Sequence, residues 1–165
     1  NKILKEKEKI KEDNMKLTSK GRAAVTSLVD MSLNINNGNP VKLSDISNRQ
    51  NISVNFLEQI FSSLKKKKIV KSIRGPLGGY MFEKDPQSIS IYEVIRAIDE
   101  DFKINRCNGK GIGCYSRGHN SKCLTHNLWH ELTNHISTFL HSISIEDVKF
   151  NRIDFKNKYL MDNLN

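Results

Sequence analysis

The spacing of apolar positions divides this chain into segments before composition is considered. From Thr18 or Ser19, either of which can cap a helix, Ala23, Ala24, Val25, Leu28, Val29, Met31 and Leu33 recur at helical spacing. The run Asn36-Asn37-Gly38-Asn39-Pro40 then ends the helix. Ser44 precedes a short helical segment, DISNRQN, and Ser53 caps another in which Phe56, Leu57, Ile60, Phe61 and Leu64 form an apolar face. Two short helices joined this tightly predict a helix-turn-helix. Two β-prone runs, Ile69-Val70-Lys71-Ser72-Ile73 and Tyr80-Met81-Phe82, flank the loop Arg74-Gly75-Pro76-Leu77-Gly78-Gly79, which reads as a hairpin. Ser90 opens a further short helix, SIYEVIRAIDE. Residues 103–124 have no helical period. From Thr125 a long helix is expected to about Ile143, with Leu128, Leu132, Ile136, Phe139, Leu140 and Ile143 on one stripe. A helix this apolar needs a partner surface.

The expected fold class is mainly α with a β-hairpin wing. In that division residues 1–14 are a Lys/Glu-rich N-terminal extension, 15–102 a winged helix-turn-helix domain, 103–124 a cysteine-bearing loop, 125–145 a dimerisation helix and 146–165 a C-terminal tail. No internal repeat is visible.

Charge narrows the choice of partner. Among 165 residues, 27 Lys and Arg face 18 Asp and Glu, a formal charge of +9, so a polyanion is the natural ligand. No apolar stretch approaches the roughly 20 residues that span a bilayer, and the first residues lack the apolar core of a signal peptide. These features predict a cytoplasmic protein that does not use a membrane.

Given such a partner, the second short helix supplies a reading vocabulary. Asn55 and Gln59 can pair with adenine in the major groove, and Glu58 can accept from the cytosine amino group. They also suit the exposed face of any amphipathic helix; the hairpin directly after them favours the reading head. Arg74, beside Gly75 at the hairpin tip, suits a narrow minor groove, where negative potential attracts guanidinium. Ser19, Lys20, Arg22 and the run Lys65 to Lys68 can hold phosphates, although the lysines also complement a helix C-terminus.

The three cysteines, an odd number without secretory context, favour a metal site over a disulfide framework. The order is Cys107, six residues, Cys114, eight residues, Cys123, two residues, His126. Thiolates with an imidazole suit zinc or an iron-sulfur cluster, and the absence of close Cys-x-x-Cys pairs lowers the case for structural zinc. Cys123 and His126 fall at the expected start of the long helix, where the positive dipole end favours thiolate over thiol and neutral imidazole over imidazolium. His119 is an alternative fourth ligand, whereas His130, His135 and His141 read as ordinary helix residues.

In order along the chain, MKLTSKGRAAV, LSDISNRQNISVNFLEQIF, RGPLGGY, EVIRAIDE and CLTHNLWHEL each resemble segments of the IscR-type winged-helix iron-sulfur cluster regulators. The resemblance covers nearly all of residues 15–145. It implies a homodimer that binds a palindromic DNA operator and regulates cluster-assembly genes, as a repressor and in places an activator. Cluster supply would be sensed through a 2Fe-2S cluster received from a cluster-assembly scaffold. By the same resemblance, Cys107, Cys114, Cys123 and His126 fall on the ligand positions. Glu58 and Gln59 fall on positions that read the major groove, and Arg74 on one that reads the minor groove. Ser19, Lys20, Arg22, Ser53, Asn55, Phe56 and Gly75 complete the expected DNA contacts. Two departures stand out: Asn55 and Phe56 replace a serine and a tyrosine of close relatives, and the cysteine loop is longer than the family pattern.

Three other readings are weighed beside this one. They are a redox or nitric oxide sensor of the same fold, a structural-zinc nucleic-acid module, and an enzyme using Cys123 and His126 as nucleophile and base. No phosphate-cradling or nucleophile-elbow motif supports the enzyme.

Overall fold

The computed structural model describes residues 19–35, 38–98 and 125–153, with the backbone but not the side chain of His126. In chain order the elements are α1 (Ser19–Asn34), α2 (Leu43–Gln50), α3 (Val54–Lys66), β1 (Val70–Ile73), β2 (Gly79–Phe82), a 3-10 turn (Pro86–Ser88), α4 (Ile91–Ala97), α5 (His126–His141) and α6 (Ile145–Lys149).

α1 is the central strut, packed against α2, α3, α4 and α6. Its inner face is built from small residues, Gly21, Ala23, Ala24 and Ser27, beside Leu28 and Met31, so neighbouring backbones can come close. The buried Ser27 hydroxyl donates to the Ala23 carbonyl at 2.6 Å, which satisfies that donor inside the core. Leu33, part of the same apolar series, faces out and is 58% exposed.

α2 starts at Leu43, one residue before the serine expected to open it; Lys42 stands at its N-cap and gives no side-chain cap. Burial of Leu43 and Ile46 draws this turn onto the core without a cap. α2 ends at Asn51, which takes a left-handed φ of 53°, a conformation asparagine tolerates. Ser53 then caps α3 as expected, its hydroxyl accepting from the Phe56 N–H. Leu57, Ile60, Phe61 and Leu64 form the buried seam of α3. Lys68 closes that helix with a φ of 56°, while Ile69 N–H donates back to Leu64 and Lys68 N–H to Lys65.

β1 and β2 pair antiparallel, Val70 opposite Phe82 and Ile73 opposite Gly79. Val41 adds a short third edge through reciprocal bonds with Tyr80, 2.9 and 2.8 Å. The chain entering α2 is thereby stitched to the hairpin that follows α3.

The end of α5 differs from expectation. Ile143 lies past the helix, which stops at His141, and is buried in the core rather than placed on the α5 stripe. Its carbonyl accepts from Ile91 N–H at 2.9 Å, and Ile145 N–H donates to Ile89 at 3.0 Å. α6, an element the apolar period does not flag, follows at once. Ser144 and Asp147 form a full capping box there, and Lys149 Nζ donates to the Ser32 carbonyl at the end of α1. No helix among the described residues is long and apolar enough to cross a membrane.

Candidate nucleic-acid interface

An ion pair fastens α2, the first helix of the helix-turn-helix, to α1. Asp30 of α1, with 4% of its side chain exposed, accepts from Arg49 Nη2 at 2.7 Å and from Nε at 3.0 Å. Gln50 Nε2 adds a third donor at 2.8 Å. Burial of a carboxylate is tolerated when charge and hydrogen bonds compensate it together, and here both do. The hydrogen bond to Asp30 is the largest cause of a raised Arg49 pKa, desolvation opposes it, and the charges of Asp30 and Asp45 add to it. The pairing therefore favours the charged guanidinium.

On this base α3 buries one face and presents the other. Asn55, Glu58 and Gln59 are all exposed, and none of these side chains has a hydrogen-bond or ion-pair partner among the described residues. Ser62 and Lys66 extend the same exposed face, at steps of four from Glu58 and Ser62. Sequence reasoning passes over Ser62, although helical spacing alone would add it, and takes Lys66 only as part of the phosphate-holding lysine run. Ser53 is exposed at the helix N-terminus, whereas Phe56 is half-buried against the core.

The hairpin stands beside this helix, with Phe61 of α3 and Tyr80 of β2 in edge-to-face contact at 4.9 Å between ring centres. Arg74 and Gly75 are exposed at its tip, and Gly75 has a φ of +116°, which glycine adopts at little cost. Gly79 is required for another reason: a Cβ there would lie 2.5 Å from the Val41 carbonyl oxygen. At the start of α1, Ser19 and Arg22 are exposed and Lys20 is half-exposed. Of the lysine run, Lys65 donates to Ser72 Oγ at 2.6 Å and ties α3 to β1. Lys66, Lys67 and Lys68 are exposed around the helix end.

α5 has a different character. It runs for 16 residues without one fully buried side chain among those described, and Leu128 and Trp129 are 60% and 41% exposed. Its far end is pinned to the body, where His141 stacks on Tyr92 of α4 at 3.8 Å. Its near end begins at His126, one residue after the start that the sequence predicts. Cys107, Cys114, Cys123 and the side chain of His126 lie outside the described residues, as does the alternative His119. Among the described residues no three His, Cys, Asp or Glu side chains converge as a metal site.

The comparisons with known proteins agree with this architecture. The HTH-type transcriptional regulator IscR of Klebsiella pneumoniae (strain 342) is 49% identical over 138 residues, covering 84% of this chain and 82% of that protein. IscR of Escherichia coli O1:K1 / APEC matches to the same extent. Among solved structures, T. potens IscR superposes with a TM-score of 0.66 at 25% identity, covering 90% of this chain and 97% of that one. CymR (YrzC), the global cysteine regulator of B. subtilis, gives a TM-score of 0.65 at 26% identity, over 84% of this chain and 98% of that one. These relatives are transcriptional regulators with a winged helix, so the chain is a DNA-binding regulator and the enzyme reading falls. The model of the Rrf2 family matches residues 17–151, and the chain belongs to that family of iron-dependent transcriptional regulators.

Proposed function

We propose that this regulator senses iron-sulfur cluster supply and controls cluster-assembly genes as a homodimer on a palindromic operator. The observation that carries the reading is the iron-dependent family match, which runs through the whole cysteine segment. The donor set fits: three thiols and an imidazole at 107, 114, 123 and 126 supply the Cys and His ligands that a 2Fe-2S cluster accepts. Held by these residues, such a cluster would supply a signal whose presence depends on iron, sulfide and oxygen. A cluster-assembly scaffold is its donor, and the DNA partner places the protein in the cytoplasm.

The chain's own residues then divide the work. Glu58 and Gln59, with Asn55 beside them, read base edges in the major groove, while Arg74 enters the minor groove. Ser19, Lys20, Arg22 and Ser53 hold phosphates, and Gly75 lets the backbone approach. Phe56 backs this surface from the first turn of α3. Two copies pair along α5, which sets the separation of the two α3 helices against half-sites one DNA turn apart.

Because the Tyr92–His141 stack and the Ile91–Ile143 bond fix the far end of α5 to the body, a constraint at Cys123 and His126 would act at the opposite end of the same helix. That re-aims the dimer seam relative to the reading heads. Coupling of about 1–3 kcal/mol would alter operator affinity roughly 5- to 150-fold.

Anaerobic isolation followed by iron, sulfide and zinc analysis tests the reading, together with operator binding before and after replacement of Cys107, Cys114 and Cys123 by alanine. Two irons and two sulfides per chain with a shifted affinity are expected. Zinc alone would make the loop a structural staple. Equal affinity on every duplex tested would remove the sensor mechanism.

A further inference from the structure

We propose that Leu77 is a specificity contact with DNA, an apolar wedge that the wing carries into the minor groove beside Arg74 and that favours A·T over G·C pairs there. The inference rests on the reading of the wing as a minor-groove element and assigns the residue that discriminates within it.

Leu77 is 85% exposed, and no other large apolar side chain among the described residues exceeds 60%. Its place in the fold matters more than its exposure. Gly78 N–H donates to the Gly75 carbonyl at 2.9 Å, closing a four-residue turn with Pro76 and Leu77 at the apex. Proline fixes the first apex residue, and neither it nor Leu77 needs a positive φ. Gly78 is packed so closely that a Cβ would lie 2.4 Å from the Ile73 carbonyl oxygen. At the root, Val41 and the Phe61 ring hold Tyr80. Leu77 is therefore an apolar tip on a stiff arm, and seating it costs little further ordering.

The surroundings identify the partner's chemistry. Arg74 is exposed three residues before it, Lys71 is exposed on β1, and Lys66 to Lys68 are exposed at the end of α3. A cationic frame around an apolar tip suits a cleft with anionic rims and apolar walls. The minor groove of duplex DNA is such a cleft, phosphates outside and sugars within, and apolar wedges are a recurrent way of engaging it. Base-pair preference follows from the edge Leu77 meets. A G·C pair places the guanine 2-amino donor in the minor groove, whereas an A·T pair shows only acceptors. An isobutyl group cannot accept from that donor and shuts water away from it, leaving a buried hydrogen-bond donor unmet.

The test uses the full chain as isolated anaerobically and a palindromic duplex selected by it from a randomised pool. At the flank positions protected in the minor groove, A·T pairs are replaced by G·C or by I·C, which lacks the 2-amino group. Wild type is expected to lose about tenfold in affinity on G·C and to recover most of it on I·C. Leu77→Ala should bind the original duplex roughly five- to twentyfold more weakly, with the A·T preference largely gone. Its salt dependence should match wild type, whereas Arg74→Ala should reduce the salt slope by about one. Leu77→Asn, which offers an acceptor to guanine, should narrow or reverse the preference. Unchanged melting temperatures show that these variants remain folded. If Leu77→Ala binds and discriminates like wild type while Arg74→Ala shows the reduced salt slope, the wedge is refuted and the wing reading stands. If no duplex is enriched, or Arg74→Ala leaves both affinity and slope unchanged, the wing reading itself fails and the wedge with it.

Discussion

Asp30 and Arg49 form a pair whose two members are unequally placed: side-chain exposure is 4% for the carboxylate and 36% for the guanidinium. That asymmetry predicts which loss hurts more. Arg49→Met strands a buried carboxylate with only Gln50 to satisfy it, at a cost of about 3–5 kcal/mol. Asp30→Asn removes the charge from the interior and leaves Arg49 within reach of water, so the cost is about 1–3 kcal/mol. Urea unfolding of the two variants checks the order, and a larger loss in Asp30→Asn would overturn the account. Because the pair joins α1 to α2, either change should also weaken DNA binding through the mount of α3 rather than through a lost contact.

At the scale of elements, the wing depends on one contact between backbones. Val41 and Tyr80 exchange two hydrogen bonds, and Gly79 permits it because any Cβ there would meet the Val41 carbonyl oxygen at 2.5 Å and its carbon at 2.8 Å. Neither obstacle is the end of a flexible side chain, so the strand must move. Gly79→Ala should therefore cost at least about 2 kcal/mol. Gly75 has nothing within 4 Å of its notional Cβ, so Gly75→Ala pays only for its φ of +116°, about 1–2 kcal/mol. Thermal unfolding should rank Gly79→Ala as the less stable variant; equal melting temperatures would mean that Val41 does not brace the wing. The wing is thus tied to the start of α2 by Val41 and to α3 by the Phe61–Tyr80 contact.

For the whole molecule, α5 carries the proposed dimer seam. A helix with Leu128 at 60% and Trp129 at 41% exposure gains little from its own core, and the proposed partner is the same helix of a second copy. Leu128→Lys places a charge on that seam without touching a buried residue. Sedimentation equilibrium should show a shift from dimer toward monomer, with affinity for the full palindrome falling toward that for a half-site. A dimer as tight as wild type would move the seam away from the face of α5 that carries Leu128. The monomer itself should unfold at an unchanged denaturant midpoint, since Leu128 contributes little to the core.

Much of this arrangement is written locally in the chain. Ser53 and Ser90 announce α3 and α4 because a cap bonds to the backbone three residues on, and the seam of α3 follows from its own period. The wing was legible in its Gly- and Pro-rich tip, and the exposed reading face in the polar positions that the seam leaves over. Tertiary structure decided the rest. Leu43 starts α2 without a cap because the core takes up its side chain, not because Ser44 offers a hydroxyl. Ile143 fits the α5 stripe by spacing, yet the chain turns after His141 and bonds it to Ile91, and the capping box at Ser144 becomes a stable α6 by lying on α1. Asp30 and Arg49 are 19 residues apart and carry no signature of their union. Period, caps and turn chemistry act within a few residues and can be read directly from the sequence, whereas burial and pairing between distant residues depend on where whole elements meet, which only the folded chain determines.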